Sequence, residues 1–336
     1  MPNTGALDEA LERLHASGPE RLGRLSNHAP MAVEALTTRG HDHAVHRWLD
    51  LYESKLESFP ARREPVTEAG WRAALGDPGR AADWIDHFTR ETAEHPWREL
   101  LARWWPRLLP GIYGGSTHPL IRVGHAVRTL NEQGETAPRL AELAHGLGYW
   151  AARHRPVTGL VPVPGAVDAA GALDAVPPVA DPSGGFPARL AQVARIPGWA
   201  ADTTDSDQAL ARLAELVRAA THRYATHGHG NATMLVHAAT APNAILRALP
   251  ALPRSLWVPS LHAAWTASAA VTAMYAPDGP MPYRAPGRIT AEEVFDRALA
   301  HGDEHVIKFA DTALDVGSEQ ALAAALRAIE LSEPMT

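Results

Sequence analysis

The sequence predicts an all-α, many-helix protein, and two observations predict it. Apolar residues recur at three- and four-residue steps along nearly the whole chain, the spacing that lines one helix face. Alternating runs of strand length and any strand–helix–strand rhythm are missing. The 336 residues read as one large domain, 1–336, interrupted by a long Pro/Gly/Ala-rich irregular segment at 156–187.

Residues 6–17 read as a short helix with Leu7, Leu11 and Leu14 on one face. Asn27 can cap a second helix running through Met31, Val33, Glu34, Ala35 and Leu36. A third carries Val45, Trp48, Leu49 and Tyr52. Segments 67–75, 80–93 and 97–109 follow, the last with Trp97, Leu100, Leu101, Trp104 and Trp105. Residues 111–115 form a loop. Thr117 is expected to cap the next helix, with Pro119 in the first turn, where a missing N–H is harmless. That helix runs to about Asn131, and another spans 137–153. Between Pro156 and Pro187 the composition changes, as in Leu160-Val161-Pro162-Val163-Pro164-Gly165 and Val176-Pro177-Pro178. This stretch is too apolar for a solvated linker and reads as a wrapping loop or a lid. Helices resume at 188–196, 207–225, 231–249, 254–275, 290–301, 302–316 and 318–330, with Gly302 marking a break.

Composition narrows the function classes. Hydrophobic residues make up 46% and charged residues 21%, which is ordinary for a soluble globular chain. The net charge of −7 argues against nucleic acid and anionic lipid as partners. The longest uncharged run, 255–277, holds Pro259, Ser260, His262 and several Thr, and suits a buried helix better than a membrane span. Residues 1–18 are polar and lack an apolar signal core, so the expected location is the cytoplasm. Without cysteine, thiolate metal sites, disulfides and Cys nucleophiles are excluded. There is no G-x-G-x-x-G after a strand, no P-loop and no G-x-S-x-G elbow.

Two usages stand out: 18 histidines, and only two lysines, Lys55 and Lys308, among 31 basic residues. Most of the histidines read as bland. His41, His43 and His46 lie in a charged, solvated helix start, and His87 and His95 flank charged residues as surface positions do. His145 forms an E-x-x-H pair with Glu142, half of a di-iron carboxylate site whose second half is missing. Four others stand out: His28 at a helix start before an apolar face, His118 at a helix start after a Gly-rich turn, His237 in mid-helix in an apolar setting, and His305 in Asp303-Glu304-His305-Val306-Ile307-Lys308. Each is a core histidine or a metal ligand. His301, His305, Lys308 and Asp311 share one helix face. Burial between Ile307 and Phe309 would favour a neutral Lys308 amine, which can take up CO2 as an anionic carbamate ligand. The plain alternative is a salt bridge from Lys308 to Asp311 or Glu304.

Together, four segments resemble the questin oxidase-like family: Asn27-His28-Ala29-Pro30-Met31, His118-Pro119-Leu120-Ile121-Arg122-Val123-Gly124-His125-Ala126, His237-Ala238-Ala239-Thr240-Ala241 and His305-Val306-Ile307-Lys308. They spread over roughly residues 26–312. The resemblance implies an all-helical oxygenase that cleaves an anthraquinone-type ring in aromatic polyketide biosynthesis. It implies a mononuclear Fe(II) held by four histidines and a carboxylated lysine, which here fall on His28, His118, His237, His305 and Lys308, with His125 or His301 as the alternative to one of the four. A reductant such as NADPH would act indirectly, since no nucleotide fingerprint is present. Arg122 and His125 are the candidate catalytic residues, Arg122 to orient a phenolate, and Asp311 a candidate support for a ligand. Trp104, Trp105, Trp257, Trp265 and Tyr275 either line an aromatic pocket or belong to the core. The expected partners are a small aromatic substrate and O2. The alternatives are a zinc-dependent hydrolase or lyase, and a helical protein that binds a hydrophobic pigment without turning it over.

Overall fold

The structure, a computed structural model, describes residues 4–335. It is built of helices, with two very small sheets. The fold class matches the expectation. The chain gathers into two units: residues up to Pro156 with Arg247–Pro253, and Val157–Leu246 with the residues from Arg254 onward.

The first unit contains α1 (Thr4–His15), α2 (Ala29–Thr38), α3 (Val45–Tyr52), α4 (Trp71–Ala74), α5 (Ala81–Glu94), α6 (Trp97–Leu108), α7 (His118–Glu132) and α8 (Ala137–Ala152). Strands β1 (Glu20–Arg21) and β2 (Leu25–Ser26) form an antiparallel pair ahead of α2. The centre of the unit is α8, which packs on α5 and α7. Glycine makes that approach possible: a Cβ on Gly148 would lie 2.7 Å from the Ile85 backbone nitrogen. Trp84, Phe88 and Trp104 meet edge-to-face or stacked, with centroids 4.9–5.8 Å apart, and Trp71 closes on Trp104. Each such pair is worth about 0.5–1.5 kcal/mol beyond its burial. His87 is part of this cluster and buried, not a surface residue; its charged neighbours point elsewhere on the helix.

The second unit contains α9 (Ala169–Asp174), α10 (Phe186–Leu190), α11 (Ser206–His227), α12 (Ala232–Leu235), most of α13 (His237–Ala248), α14 (Trp257–Tyr275), α15 (Ala291–His301), α16 (Glu304–Val316) and α17 (Glu319–Leu331). Its parallel pair joins β3 (Val161–Val163) to β4 (Arg195–Pro197). Helix α14 is apolar around most of its circumference and buried accordingly, as expected for 255–277. Among the described residues no helix is long and apolar enough to cross a membrane. Gly302 ends α15 in the left-handed conformation (φ 80°), and Asp303 caps α16 through the backbone N–H groups of His305 and Val306.

Several boundaries differ from expectation. The 67–75 helix shrinks to α4, because Thr67 Oγ1 accepts from Gly70 N and holds 67–70 as a turn. The 188–196 helix stops at Leu190, and Arg195–Pro197 pair with Val161–Val163 instead. Segment 156–187 is not wholly irregular: Asp168 accepts from Gly171 N to cap α9, which buries Ala169, Ala172 and Leu173. The 231–249 helix is broken at Val236 into α12 and α13.

Candidate functional site

The first unit brings His28 and His118 together. Their Nε2 atoms lie 2.9 Å apart, with the rings edge-to-face at 4.3 Å, and both residues are buried. Asn27 Oδ1 accepts from Ala29 N and turns the chain into α2, so that His28 stands at the helix start. His118 is the first residue of α7, and the turn before it is unusual. Gly115, Ser116 and Thr117 all have positive φ (54°, 55° and 69°). Gly115 has no Cβ to strike Pro119 or the Tyr149 hydroxyl, but Ser116 and β-branched Thr117 are strained there. Thr117 does not cap α7 with its side chain as expected: in the left-handed conformation its Oγ1 is buried without a hydrogen-bond partner. The turn places the Gly115 carbonyl 2.8 Å from His118 Nδ1.

A carbonyl only accepts, so Nδ1 carries the proton and Nε2 of neutral His118 keeps its lone pair. Ser26 Oγ also lies 3.0 Å from Nδ1 and 2.8 Å from the Tyr149 hydroxyl. Tyr149 donates to Glu20 at 3.0 Å, and Arg153 pairs with Glu20 in turn. Burial, with Glu20 alongside, pushes the Tyr149 phenol up, keeping it a donor. This chain of hydrogen bonds orients the His118 ring, as the partners of a metal-bound histidine do. None of its outer members was read from the sequence, for Ser26 and Tyr149 are 92 and 31 positions from His118 and obey no short spacing.

Arg122 and His125 have other partners in the same unit. Arg122 grips Glu142 with two bonds, Nε at 2.5 Å and Nη2 at 2.7 Å, both residues being buried. This is a buried ion pair. It holds the Glu142 carboxyl down at about 2 against its own desolvation. Glu142 is thereby engaged and not a di-iron ligand in waiting. His145, beside it, is pushed down to about 3 by burial and then by Arg122. His125 Nδ1 lies 2.5 Å from Glu34, which also receives Arg128. Burial lowers His125 despite that carboxylate.

The second unit brings His237, His305 and Lys308 together. His237 opens α13 rather than lying in mid-helix. Its Nδ1 sits 2.9 Å from Met234 O, a ring donor placed on a backbone carbonyl where the helix breaks. That contact sets the same tautomer as in His118, with the lone pair on Nε2. Burial, then the Lys308 charge, pushes His237 down to about 3, so the ring is neutral. The His305 ring stands edge-to-face to His237 at 5.6 Å. One turn along α16, Lys308 is 1% exposed, and its Nζ has no hydrogen-bond partner among the described residues. The alternative of a Lys308 salt bridge to Glu304 or Asp311 is not formed. Burial dominates and brings the amine down to about 7, against the pull of Glu304 and Asp303.

Within each unit the donors have the chemistry of metal ligands. Two ring nitrogens 2.9 Å apart match neighbouring ligands at about 90° on an ion with bonds of about 2.1 Å. His118 and His237 each carry the lone pair on Nε2, and Lys308 is a buried amine with no acceptor among the described residues, which a cation would need.

Residues 25–154 match the model of the questin oxidase-like family. The resemblance read in the sequence is borne out over that stretch, which holds His28, His118, Arg122 and His125; the segments around His237 and His305 lie beyond it. No curated protein matches the chain.

Proposed function

We propose that this protein is a non-haem iron oxygenase that cleaves a ring C–C bond of an anthraquinone-type aromatic polyketide. The family match over residues 25–154 supports an oxidoreductase. The observation that carries the metal is Lys308, a buried amine without a partner beside two histidines. In this reading His28, His118, His237, His305 and Lys308 hold a single Fe(II). Iron, when bound, supplies one-electron steps and orients oxygen.

The protein's own part is specific. The Gly115 and Met234 carbonyls keep the His118 and His237 protons on Nδ1, leaving Nε2 for the ion. The neutral Lys308 amine can add to CO2: the C–N bond forms as one C–O π bond opens, one N–H proton passes to solvent, and the carbamate oxygens would offset part of the charge of a bound ion. Arg122 and His125 serve by anchoring α7, the helix that begins at His118, through Glu142 and Glu34. A reductant such as NADPH enters only as an external electron source.

Elemental analysis of protein purified without chelator tests this reading. One iron per chain is expected, absent from His28→Ala, His237→Ala and Lys308→Arg alike. Metal that survives both a His28 and a His237 substitution overturns the single centre. Zinc with oxygen-independent turnover would replace the oxygenase by a hydrolase or lyase.

A further inference from the structure

In the second unit, away from the residues assigned to the metal, a cleft of about 360 Å³ opens between the β3–β4 pair and α14. Leu160, Pro162 and Ile196 supply aliphatic surface and Trp199 and Trp265 aromatic surface. No Asp, Glu, Arg or Lys lines it. The volume suits a small molecule, and apolar walls with a few placed polar groups are the usual lining of such a site. The two indoles meet at 65° with centroids 5.3 Å apart, so they offer a corner rather than a flat slot. A corner beside branched aliphatic side chains fits a thick, saturated body.

The free polar atoms of the cleft are of definite kinds. Trp265 spends its Nε1–H on Pro197 O at 2.8 Å, whereas Trp199, 4% exposed, has no acceptor for its own N–H among the described residues. That atom is not sealed in the core, so it faces the cleft that its ring lines. His262 Nε2 lies 3.1 Å from Ala200 O, so the ring donates there. Neutral His262 then has its lone pair on Nδ1, an atom with no hydrogen-bond partner among the described residues. Thr266, one helical turn along α14, gives its hydroxyl proton to Ala263 O at 3.0 Å and is left as an acceptor. The cleft thus presents one donor and two acceptors, without charge.

A primary carboxamide is the complement: its carbonyl takes one N–H and its NH2 gives two. A hydroxyl gives only one proton and would leave one acceptor unpaired. We infer that this cleft binds an uncharged aliphatic primary carboxamide. The carbonyl accepts from Trp199 Nε1, the two N–H groups donate to His262 Nδ1 and Thr266 Oγ1, and the saturated body lies against Leu160, Ile196 and the indoles. No metal ligand takes part, so the site stands or falls apart from the iron.

The test titrates cyclohexanecarboxamide, methyl cyclohexanecarboxylate and cyclohexylmethanol against the full chain by ligand-observed NMR. The amide is expected to bind one per chain, about 25-fold more tightly than the ester, the product of two hydrogen bonds of about fivefold each, with the alcohol in between. Thr266→Val keeps the shape but removes one acceptor, and should cut the preference over the ester to about fivefold. Thr266→Trp, which fills the cleft from a half-buried position, should abolish binding of all three. Absence of amide binding, an ester or alcohol that binds as tightly as the amide, an unchanged preference in Thr266→Val, or undiminished binding to Thr266→Trp each overturns the inference. The comparison of the three compounds needs no variant, so it remains decisive even if a substitution fails to fold.

Discussion

Two buried basic side chains, Arg122 in the first unit and Lys308 in the second, are handled in opposite ways. Arg122 is 2% exposed and forks onto Glu142; Lys308 is 1% exposed and has no hydrogen-bond partner among the described residues. A guanidinium does not give up its proton inside a protein, so a buried arginine requires a carboxylate. An amine does give up its proton, and burial alone brings Lys308 down to about 7. Lys308 is one of only two lysines in the chain. Arg122 is paired, whereas the Lys308 amine has no hydrogen-bond partner among the described residues.

Breaking the contrast at Lys308 gives the largest expected effect. Lys308→Arg places a permanent charge where no acceptor waits and should lose all iron together with several kcal/mol of stability. Lys308→Met keeps the volume and removes the amine. It should also lose the iron but stay within about 1.5 kcal/mol in urea unfolding. Iron retained in Lys308→Met would show that the amine is not a ligand.

At the other cation the loss falls on stability. Glu142→Ala leaves Arg122 buried and alone, and should cost about 3–5 kcal/mol, read from the urea midpoint. A change under 1 kcal/mol would mean that water reaches Arg122.

Acid sharpens the same comparison. The folded state holds Glu142 at about 2, below the ordinary 4.5, so its contribution is fully present above about pH 4.5 and fades as pH falls toward 2. The shift corresponds to about 3 kcal/mol. Replacing the pair by Arg122→Met with Glu142→Leu should flatten the acid side of the stability–pH profile by about that amount. An unchanged profile would place the acid sensitivity elsewhere.

The smallest effect belongs to the turn before His118. Thr117→Gly relieves a β-branched residue at φ 69° and gives back chain entropy, for a net gain of about 1 kcal/mol or less in thermal unfolding. A clear destabilisation would show that Thr117 packing outweighs its strain.

Legibility in the sequence followed the range of the interaction. Helices such as α3, α5, α6 and α17 were readable, because the apolar spacing that buries Val45, Trp48, Leu49 and Tyr52 lies within one segment. The break at Val236 was not, since it accompanies a His237 ring that bonds a backbone carbonyl, an event outside any periodicity. Helix α9 was hidden in a Pro/Gly-rich stretch, although Asp168 ahead of Ala169 was a readable cap. His87 was misplaced because its burial depends on Trp104, from another helix.

The same division runs through the candidate site. By itself the sequence determined the helical class, the excluded chemistries, and the short segments around His28, His118, His237 and His305 with Lys308 one turn further, because residue type and helical spacing are local properties. Only the tertiary structure decided that the His28 and His118 nitrogens face each other at 2.9 Å, that Arg122 is spent on Glu142, and that Lys308 is buried with no ion pair. The physical reason is that tautomer, pairing and desolvation are set by atoms brought from distant segments. His28 and His118 are 90 positions apart, and Arg122 and Glu142 sit on different helices.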